Sequence, residues 1–362
     1  MDYFDKEKGF KAPPDNIPLT HLEDNPFVDS DGKTFLPSIF TEDEEKKFEI
    51  DYDWTREGYS SLEDSVAHIY HYEIADEYNY VMTQLSSEDL YWLKFIGRFK
   101  SVQKLQLDRQ TALYPKVLNR KQEKRSLNEL FSFGLIWKWS FKRAFLDKPV
   151  KVYTLSSNGY RFLEYFFSKE RTYFNPQNYF RLDQKYHIRF WETVDLYQLL
   201  LSLPIYRGFE TYFNLGGINL KNGKKKNLFS PLQEALEIFP NQVKNFVFFT
   251  ALQSDNDDYY KKAINRWAVF TENGKNLSKD VLSLSGNQNV LAFYAPTVSV
   301  AERLNKNLSL PEFGFPILLL IGSVIQKDGI TQAFYHPDHA NKTLDLQRMV
   351  LPNLVDEGDN DE

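Results

Sequence analysis

The spacing of apolar residues between positions 86 and 134 predicts three helices. The sequence Ser86-Ser87-Glu88-Asp89 supplies an N-cap and an acidic first turn, and apolar positions then recur every three to four residues. A second, short segment begins at Ser101, and a third, longer one runs through Lys116 to about residue 131. Gly134 follows the last apolar position, where a glycine commonly ends a helix.

From residue 135 the apolar period falls to two, which predicts strands at residues 135–141 and 150–155. The residues between them, 142–149, form a basic loop. The sequence Ser156-Ser157-Asn158-Gly159 then provides the cap of a last helix at residues 160–167. Helix, helix, helix, strand, basic loop, strand, helix is the order of a winged helix-turn-helix, and the pattern therefore predicts one here.

Farther along the chain, strand-like and helix-like segments alternate. Short apolar runs predict strands at residues 246–249, 290–294 and 317–321, and helical patterns at about 257–270 and 299–307 separate them. This alternation is typical of an α/β layer with a partly parallel sheet. The predicted fold class is α+β overall, with a winged helix-turn-helix followed by an α/β domain that contains a mixed sheet.

Prolines and acidic clusters mark the start of the chain. Residues 1–60 show no sustained apolar period and favour an arm that is partly disordered. The sequence Ser61-Leu62-Glu63-Asp64 has the pattern of a helix cap and predicts the start of the first domain. The predicted organisation is an acidic arm at 1–60, a winged helix domain at 61–170, an α/β domain at 185–335 and an acidic tail at 350–362.

The composition excludes several classes of protein. The chain of 362 residues has no cysteine, which removes disulfide frameworks, thiolate zinc sites and cysteine nucleophiles. Its first residues lack the cationic start and apolar block of a secretion signal, and no apolar run approaches the ~20 residues that span a bilayer. We therefore expect a cytoplasmic protein that does not enter a membrane.

The formal net charge of −6 hides a strong segregation of charge. Residues 1–80 hold 21 Asp and Glu against 7 Lys and Arg, whereas residues 94–151 hold 15 Lys and Arg against 4 Asp and Glu. A basic block of this kind is typical of a surface that binds nucleic acid, although a solvated surface can have the same composition. The expected partner is double-stranded DNA.

The basic residues fall where a winged helix needs them, because its third helix enters the major groove and its wing reaches the backbone. Arginine can form paired hydrogen bonds to guanine, asparagine can do so to adenine, and lysine acts mainly as a point charge on phosphate. The alternative is a basic face that binds nothing, or a helix-turn-helix that docks a protein. The candidate DNA-binding residues are Lys116, Arg120, Lys121, Lys124, Arg125, Asn128, Lys138, Lys142, Arg143 and Lys148.

Two stretches resemble the winged helix of the replication-relaxation family of plasmids and other mobile elements. They are residues 127–136, LNELFSFGLI, and residues 152–163, VYTLSSNGYRFL. Downstream, His187-Ile188-Arg189, Val194-Asp195-Leu196-Tyr197 and residues 259–267 are similar to that family as well. The resemblance implies a second domain related in fold to restriction endonucleases. It also implies a role in replication, conjugative DNA processing or transcriptional control, with replication or conjugation proteins as further partners.

Nuclease chemistry needs convergent carboxylates that hold a divalent metal and activate water. The strand expected to supply them continues through residues 248–254, FFTALQS, without a carboxylate. Asp255, Asp257 and Asp258 follow, and we interpret them as the cap and first turn of the next helix. We therefore expect no enzyme activity, catalytic residue, metal or cofactor. A metal-dependent nuclease that uses Asp195 and Glu210 remains one alternative.

Weaker signals leave further alternatives open. A protein-docking adaptor of a replication or transfer complex fits the sequence equally well, and the oligomeric state stays open, a dimer included. His68 and His71 lie three residues apart but have no further histidine near them, so a surface pair is favoured over a metal site. Residues 221–226, KNGKKK, predict a basic hairpin tip that either contacts phosphate or is simply solvated.

Overall fold

The structure is a computed structural model, which describes the chain in several ranges. The described residues are 10–14, 16–17, 19, 26–27, 39–49, 70–144, 146–167, 184–211, 218–219, 225–226, 232–272, 288–340 and 343–351. They contain α-helices and β-strands in a mixed arrangement, and the largest sheet has seven strands. The predicted helix cap at 61–64 lies outside the described residues, and so does the acidic tail after residue 351.

Ten α-helices occur among the described residues. They are α1 (Glu42–Lys46), α2 (Asp76–Gln84), α3 (Ser87–Phe99), α4 (Lys104–Leu113), α5 (Arg120–Ser132), α6 (Ser157–Phe167), α7 (Tyr186–Leu201), α8 (Asp258–Glu272), α9 (Val298–Leu308) and α10 (Gly322–Asp328).

The strands within the same ranges number twelve. They are β1 (Ser101–Gln103), β2 (Ile136–Phe141), β3 (Val150–Leu155), β4 (Tyr206–Glu210), β5 (Ile218–Asn219), β6 (Lys225–Lys226), β7 (Leu232–Phe239), β8 (Gln242–Thr250), β9 (Gln288–Ala295), β10 (Ile317–Ile321), β11 (Phe334–Ala340) and β12 (Thr343–Arg348).

The chain forms two compact units. The first contains Met1–Pro14 and Phe48–Val194, and the second contains Asp15–Lys47 and Asp195–Glu362. Helix α7 crosses this boundary, and its first half packs within the first unit, where Gln106 Nε2 donates to the carbonyl oxygen of Trp191 at 2.8 Å.

The first unit contains a three-stranded antiparallel sheet with the order β1-β3-β2. Helices α3 to α6 belong to the same unit as this sheet. Their apolar faces supply core residues such as Leu93, Ile96, Leu127 and Leu130, none of which is more than 3% exposed. The element order is helix, strand, helix, helix, strand, strand, helix. The predicted helices and strands of residues 86–167 are thus present, with one strand added.

The added strand, β1, corrects the prediction for the second helical segment. Ser101–Gln103 pairs with β3, so Val102 lies opposite Tyr153, and the helix begins only at Lys104. Gln103 ends the strand and caps the helix, because its side chain and that of Gln106 bond each other's backbone N–H groups. A strand of three buried residues has no period that the sequence could reveal.

The third helix also begins later than predicted. Asn119 is its N-cap, and the Asn119 side chain accepts a hydrogen bond from the backbone N–H of Gln122 at 2.9 Å. Lys116 therefore lies in the turn before α5 and not on the helix. The first turn of a helix has backbone N–H groups without a partner in the helix, and a capping side chain accepts from one of them. Because Asn119 does this, the helix starts after Asn119 and does not extend back to Lys116.

Two glycines shape the backbone around the hairpin, and Gly134 ends α5 as predicted. Gly134 has a positive φ of 61° and directly follows Phe133, the C-cap residue of α5. Gly159 allows a close approach, because a Cβ atom there would lie 1.9 Å from the carbonyl oxygen of Leu135. Ser156 caps α6 by accepting the N–H of Gly159 at 2.9 Å, so a serine cap is present as predicted, but the helix begins at Ser157 and not at residue 160.

The second unit is built on the seven-stranded sheet, which has the order β12-β11-β10-β9-β8-β7-β4. Strands β8, β9 and β10 are parallel and their outer neighbours are antiparallel, which confirms the predicted mixed sheet. Tyr197 of α7 packs against Phe209, and Tyr260 of α8 packs against Phe293. Phe209 is in register with Phe246 of β8 through Glu234, and Phe293 is in register with Phe249. Residues 246 and 249 are three apart in one strand and so face opposite sides of the sheet, which means that α7 and α8 cover opposite faces.

Candidate nucleic-acid interface

Helix α5 separates its residues into a buried face and a basic face. Leu127, Leu130 and Phe131 are at most 3% exposed and face the core of the first unit. The opposite face carries five of the candidate DNA-binding residues, all of them exposed: Arg120, Lys121, Lys124, Arg125 and Asn128. The structure therefore brings together on one surface the side chains that the sequence assigned to the third helix.

The β2–β3 hairpin carries the second group of candidates. Lys142 and Lys148 are exposed in the loop between the strands. Lys138 on β2 and Arg143 in the loop are only partly exposed and have contacts of their own. Lys142 and Lys148 are thus the loop cations best placed to reach a partner, and Lys116 is exposed in the turn before α5.

The basic residues of α5 repel one another. Arg120 and Lys124 lie four residues apart, as do Lys121 and Arg125, and each such like-charge pair costs an isolated helix about 0.2–0.5 kcal/mol. Arg120, Lys121 and Arg125 form no ion pair with any carboxylate in the part of the chain that the structure describes. An anionic partner would offset this repulsion.

One acidic residue of α5 lies on its buried face and holds the helix in place. Glu123 is fully buried, and Lys104 Nζ donates to Glu123 Oε1 at 2.7 Å and to Asp108 Oδ1 at 2.6 Å. Thr111 Oγ1 donates to the second oxygen of Glu123 at 2.9 Å. Burial raises the pKa of Glu123, while the Lys104 ammonium and the Thr111 hydroxyl act against that rise.

This ion pair joins α5 to α4, and the sequence prediction missed it. The available signal was position, because Glu123 lies four residues before Leu127 and seven before Leu130 and so falls on the apolar face of the helix.

The carboxylates considered for metal chemistry have other surroundings. Asp195 is buried in α7, and Glu210 ends β4, where its Oε1 accepts the backbone N–H of Thr211 at 2.9 Å. Among the described residues there is no group of three or more His, Asp or Glu that could hold a metal ion. His71 is exposed, and His68 lies outside the described ranges.

Two of the three aspartates that follow β8 have the predicted structural role. Asp255 Oδ2 accepts the N–H of Leu252 at 2.9 Å and the hydroxyl of Tyr260, while the carbonyl oxygen of Asp257 accepts the N–H of Lys261. Asp258 is the first residue of α8. Asp257 and Asp258 thus occupy the start of the helix as interpreted, whereas Asp255 lies before it and bonds Leu252 and Tyr260 instead.

A residue of the predicted arm binds the same loop. Glu45 of α1 is 1% exposed, and its two carboxylate oxygens accept the backbone N–H groups of Gln253 and Ser254 at 3.0 and 2.7 Å. Burial raises the pKa of Glu45, which these hydrogen bonds oppose. One sign of order is visible in the sequence, since Thr41 and Glu44 have capping-box spacing and form that box in the structure.

The predicted basic hairpin is present in part. Strands β5 and β6 pair antiparallel, with Asn219 opposite Lys225, and residues 221–224 lie outside the described ranges.

Comparison of the chain with models of known protein families, with curated proteins and with solved structures gives no match. Within the described residues, no helix is both long and apolar enough to cross a membrane.

Proposed function

We propose that the protein binds double-stranded DNA through a winged helix formed by residues 87–167. In this proposal α5 is the recognition helix and the β2–β3 hairpin is the wing. The order of the helices and strands supports it, together with the short β1 strand that completes a three-stranded sheet. The observation that carries the proposal is the exposed basic face of α5, whose opposite face is fixed by the core and by Glu123.

The size and chemistry of α5 suit the major groove. A helix with its side chains is about 10–12 Å across, and the major groove is about 12 Å wide. Arg120 and Arg125 are the proposed readers of guanine edges and Asn128 of adenine, because these side chains can form paired hydrogen bonds. Lys121 and Lys124 are assigned to phosphates. Lys142 and Lys148 would extend the contact to the backbone beside the groove.

The second unit is proposed to have a restriction-endonuclease-like fold without nuclease activity. Its mixed sheet with a helix on each face supports the fold. On the face of β8 that α7 covers, the residues next to the buried Glu234 of β7 are Phe246 and Phe248, which cannot bind a metal. We propose that this DNA binding serves the replication, transfer or transcriptional control of a mobile element, because residues 127–136 and 152–163 resemble the replication-relaxation family.

DNA binding can be tested by fluorescence anisotropy with a labelled duplex over a series of salt concentrations. We expect a steep dependence, because roughly six to ten phosphate contacts lower the affinity by about a thousandfold or more between 50 and 200 mM salt. The combined substitution Arg120→Ala, Lys124→Ala and Arg125→Ala should abolish binding without unfolding the protein. A flat salt response, or full affinity in that variant, would refute the proposal.

A further inference from the structure

Helix α8 of the second unit has an exposed basic face of its own. Lys261, Lys262 and Asn265 are exposed and Arg266 is partly exposed. The sequence contains no acidic residue between Asp258, at the first position of the helix, and Glu272, at its last. Three cations thus occupy the outer side of two successive turns.

These cations have the same arrangement as those of α5. Lys262 and Arg266 lie four residues apart and repel each other, and Lys261 precedes Asn265 by the same interval. Within the described part of the chain, none of the three cations forms an ion pair with a carboxylate.

On two other helices, α1 and α9, an exposed base is preceded by an acid four residues earlier. In α1, Glu42 and Lys46 lie four residues apart and form an ion pair at 2.6 Å. In α9, the exposed Glu302 and Lys306 have the same order and spacing. An acid four residues before a base stabilises a solvated helix, so these faces need no partner. On α8, Asp257 and Asp258 precede Lys261 and Lys262 by four residues, but neither forms an ion pair with them in the described part of the chain. Arg266 has Lys262 at that position instead of an acid, so the repulsion between these two cations is not offset within the helix.

The helix that carries these cations is firmly held. Tyr260, Ile264 and Trp267 on its inner side are at most 1% exposed, and the ring of Tyr260 meets that of Phe293 at 5.7 Å. The carbonyl oxygen of Asp257 accepts the N–H of Lys261 in the first turn. The cations therefore extend from a fixed backbone, which lowers the entropy cost of holding them against a partner.

We propose that the outer face of α8 is a second DNA-contacting surface, at which Lys261, Lys262 and Arg266 bind phosphates of the duplex backbone. This inference rests on the proposed function, because the ligand is the same class of duplex. Residues four apart rise about 6 Å along a helix, and each strand of a duplex carries one phosphate per about 3.4 Å of the duplex axis, so Lys262 and Arg266 can contact neighbouring phosphates of one strand. Two of the three cations are lysines, which suit phosphate better than base edges.

The test uses the full chain and a labelled 30-base-pair duplex of random sequence in salt titrations. The α8 variant carries Lys261→Gln, Lys262→Gln and Arg266→Gln. A matched control carries Lys306→Gln, Lys327→Gln and Arg348→Gln, which removes three exposed cations elsewhere in the second unit. We expect the logarithmic salt slope of the α8 variant to fall by about 3 and its affinity at 0.1 M salt to fall about tenfold or more. The control variant should retain most of the salt slope and most of the affinity of the parent protein.

A parallel titration of the α5 variant separates this inference from the proposed function. If the α8 variant behaves like the control while the α5 variant loses binding, the inference is wrong and the proposed function stands. If only the α8 variant loses binding, the inference stands and α5 is not the recognition helix. If the parent does not bind duplex DNA, or binds vesicles of anionic lipid through α8 instead, the inference is overturned.

Discussion

The cores of the two units each contain a glutamate with no exposed surface, and the two glutamates have opposite surroundings. Glu123 in the first unit accepts hydrogen bonds from Lys104 and Thr111. Glu234 in the second unit lies on β7 between Phe209 of β4 and Phe246 of β8, and neither of its oxygens has a hydrogen-bond partner among the described residues. Equal burial therefore has different consequences in the two cores.

The surroundings decide the protonation state of each side chain. Burial raises the pKa of both glutamates, but at Glu123 the Lys104 ammonium opposes the rise. Nothing opposes it at Glu234, so burial holds the pKa of that carboxyl well above its usual range. A buried charge is tolerated when it is paired and neutralised by a proton when it is not. The first core thus contains an ionic contact that positions α5, and the second contains a carboxylic acid that favours a neutral form.

The largest expected effect comes from removing the paired glutamate. Glu123→Ala leaves Lys104 without one of its two carboxylates, and breaking a buried pair costs roughly 3–5 kcal/mol. The Lys104 side chain is 28% exposed and keeps Asp108, so we expect a loss of about 2–3 kcal/mol of unfolding free energy. Hydrogen exchange of the α5 backbone amides measures this loss within the first unit.

Glu129→Ala serves as the control on the same helix, because Glu129 is only partly buried and has no partner in the described ion pairs. It should change the exchange rates little. DNA affinity should fall in the Glu123 variant as well, since α5 loses its attachment to α4. Equal exchange in the two variants would show that the ion pair does not hold the helix.

Removal of the unpaired glutamate should raise the free energy of unfolding instead of lowering it. Glu234→Met keeps a side chain of similar length and takes an unsatisfied carboxyl out of an aromatic environment, which should stabilise the second unit by about 1–3 kcal/mol. Exchange of the β7 and β8 amides gives the measurement. Destabilisation comparable to that of Glu123→Ala would mean that Glu234 has a partner after all.

The pH dependence of stability should distinguish the two units further. Folded Glu234 holds its proton more tightly than the unfolded chain does, where the pKa is near 4.5. Between those two pKa values the folded state binds more protons, so its stability falls as pH rises above about 4.5, by at most about 1.4 kcal/mol per pH unit. The advantage of Glu234→Met over the parent should therefore grow with pH. An advantage that stays constant from pH 4 to pH 8 would contradict a raised pKa.

The first unit was the easier one to predict, for physical reasons. Helices α3 to α6 are apolar on one side, so the period of the sequence revealed them, whereas helix α2 and the three-residue strand β1 were missed. In the second unit the parallel strands β8, β9 and β10 were recognisable as apolar runs. Strand β7 was not, because Gln233, Glu234 and Glu237 interrupt its apolar pattern, although the first two are buried.

The candidate site was predictable only where its residues are exposed. The cations of α5 have a sequence signature in their spacing, and the structure places them on one surface. The buried partners that fix that surface depend on contacts between distant residues. Glu123 meets Lys104 across 19 positions, and Glu45 meets Gln253 across 208. The identity and charge of a glutamate do not predict such a contact, since most acidic residues in proteins are exposed to solvent.

The smallest expected effect concerns exposed charge rather than buried charge. The first unit exposes cations, and the acidic residues at the start of the chain are tethered to it at high effective concentration, so they can compete with DNA without a specific fold. Deletion of residues 1–60 is a poor test, because Phe40 and Glu45 are buried in the second unit. The better variant is Asp51→Asn, Asp53→Asn, Glu57→Gln and Glu63→Gln, which removes four negative charges and leaves α1 intact.

If the acidic residues compete with DNA, this variant should bind a duplex about two- to fivefold more tightly at low salt, because the first unit's cations lose an internal competitor. The gain should vanish near 0.3 M salt, where charges farther apart than roughly 6 Å are screened from each other. Neutralising Glu302, Glu312, Asp328 and Asp345, four exposed acids of the second unit, controls for the change in total charge. An equal gain in the control would assign the effect to net charge, and no gain at any salt concentration would leave the arm with a different role, such as docking a protein partner.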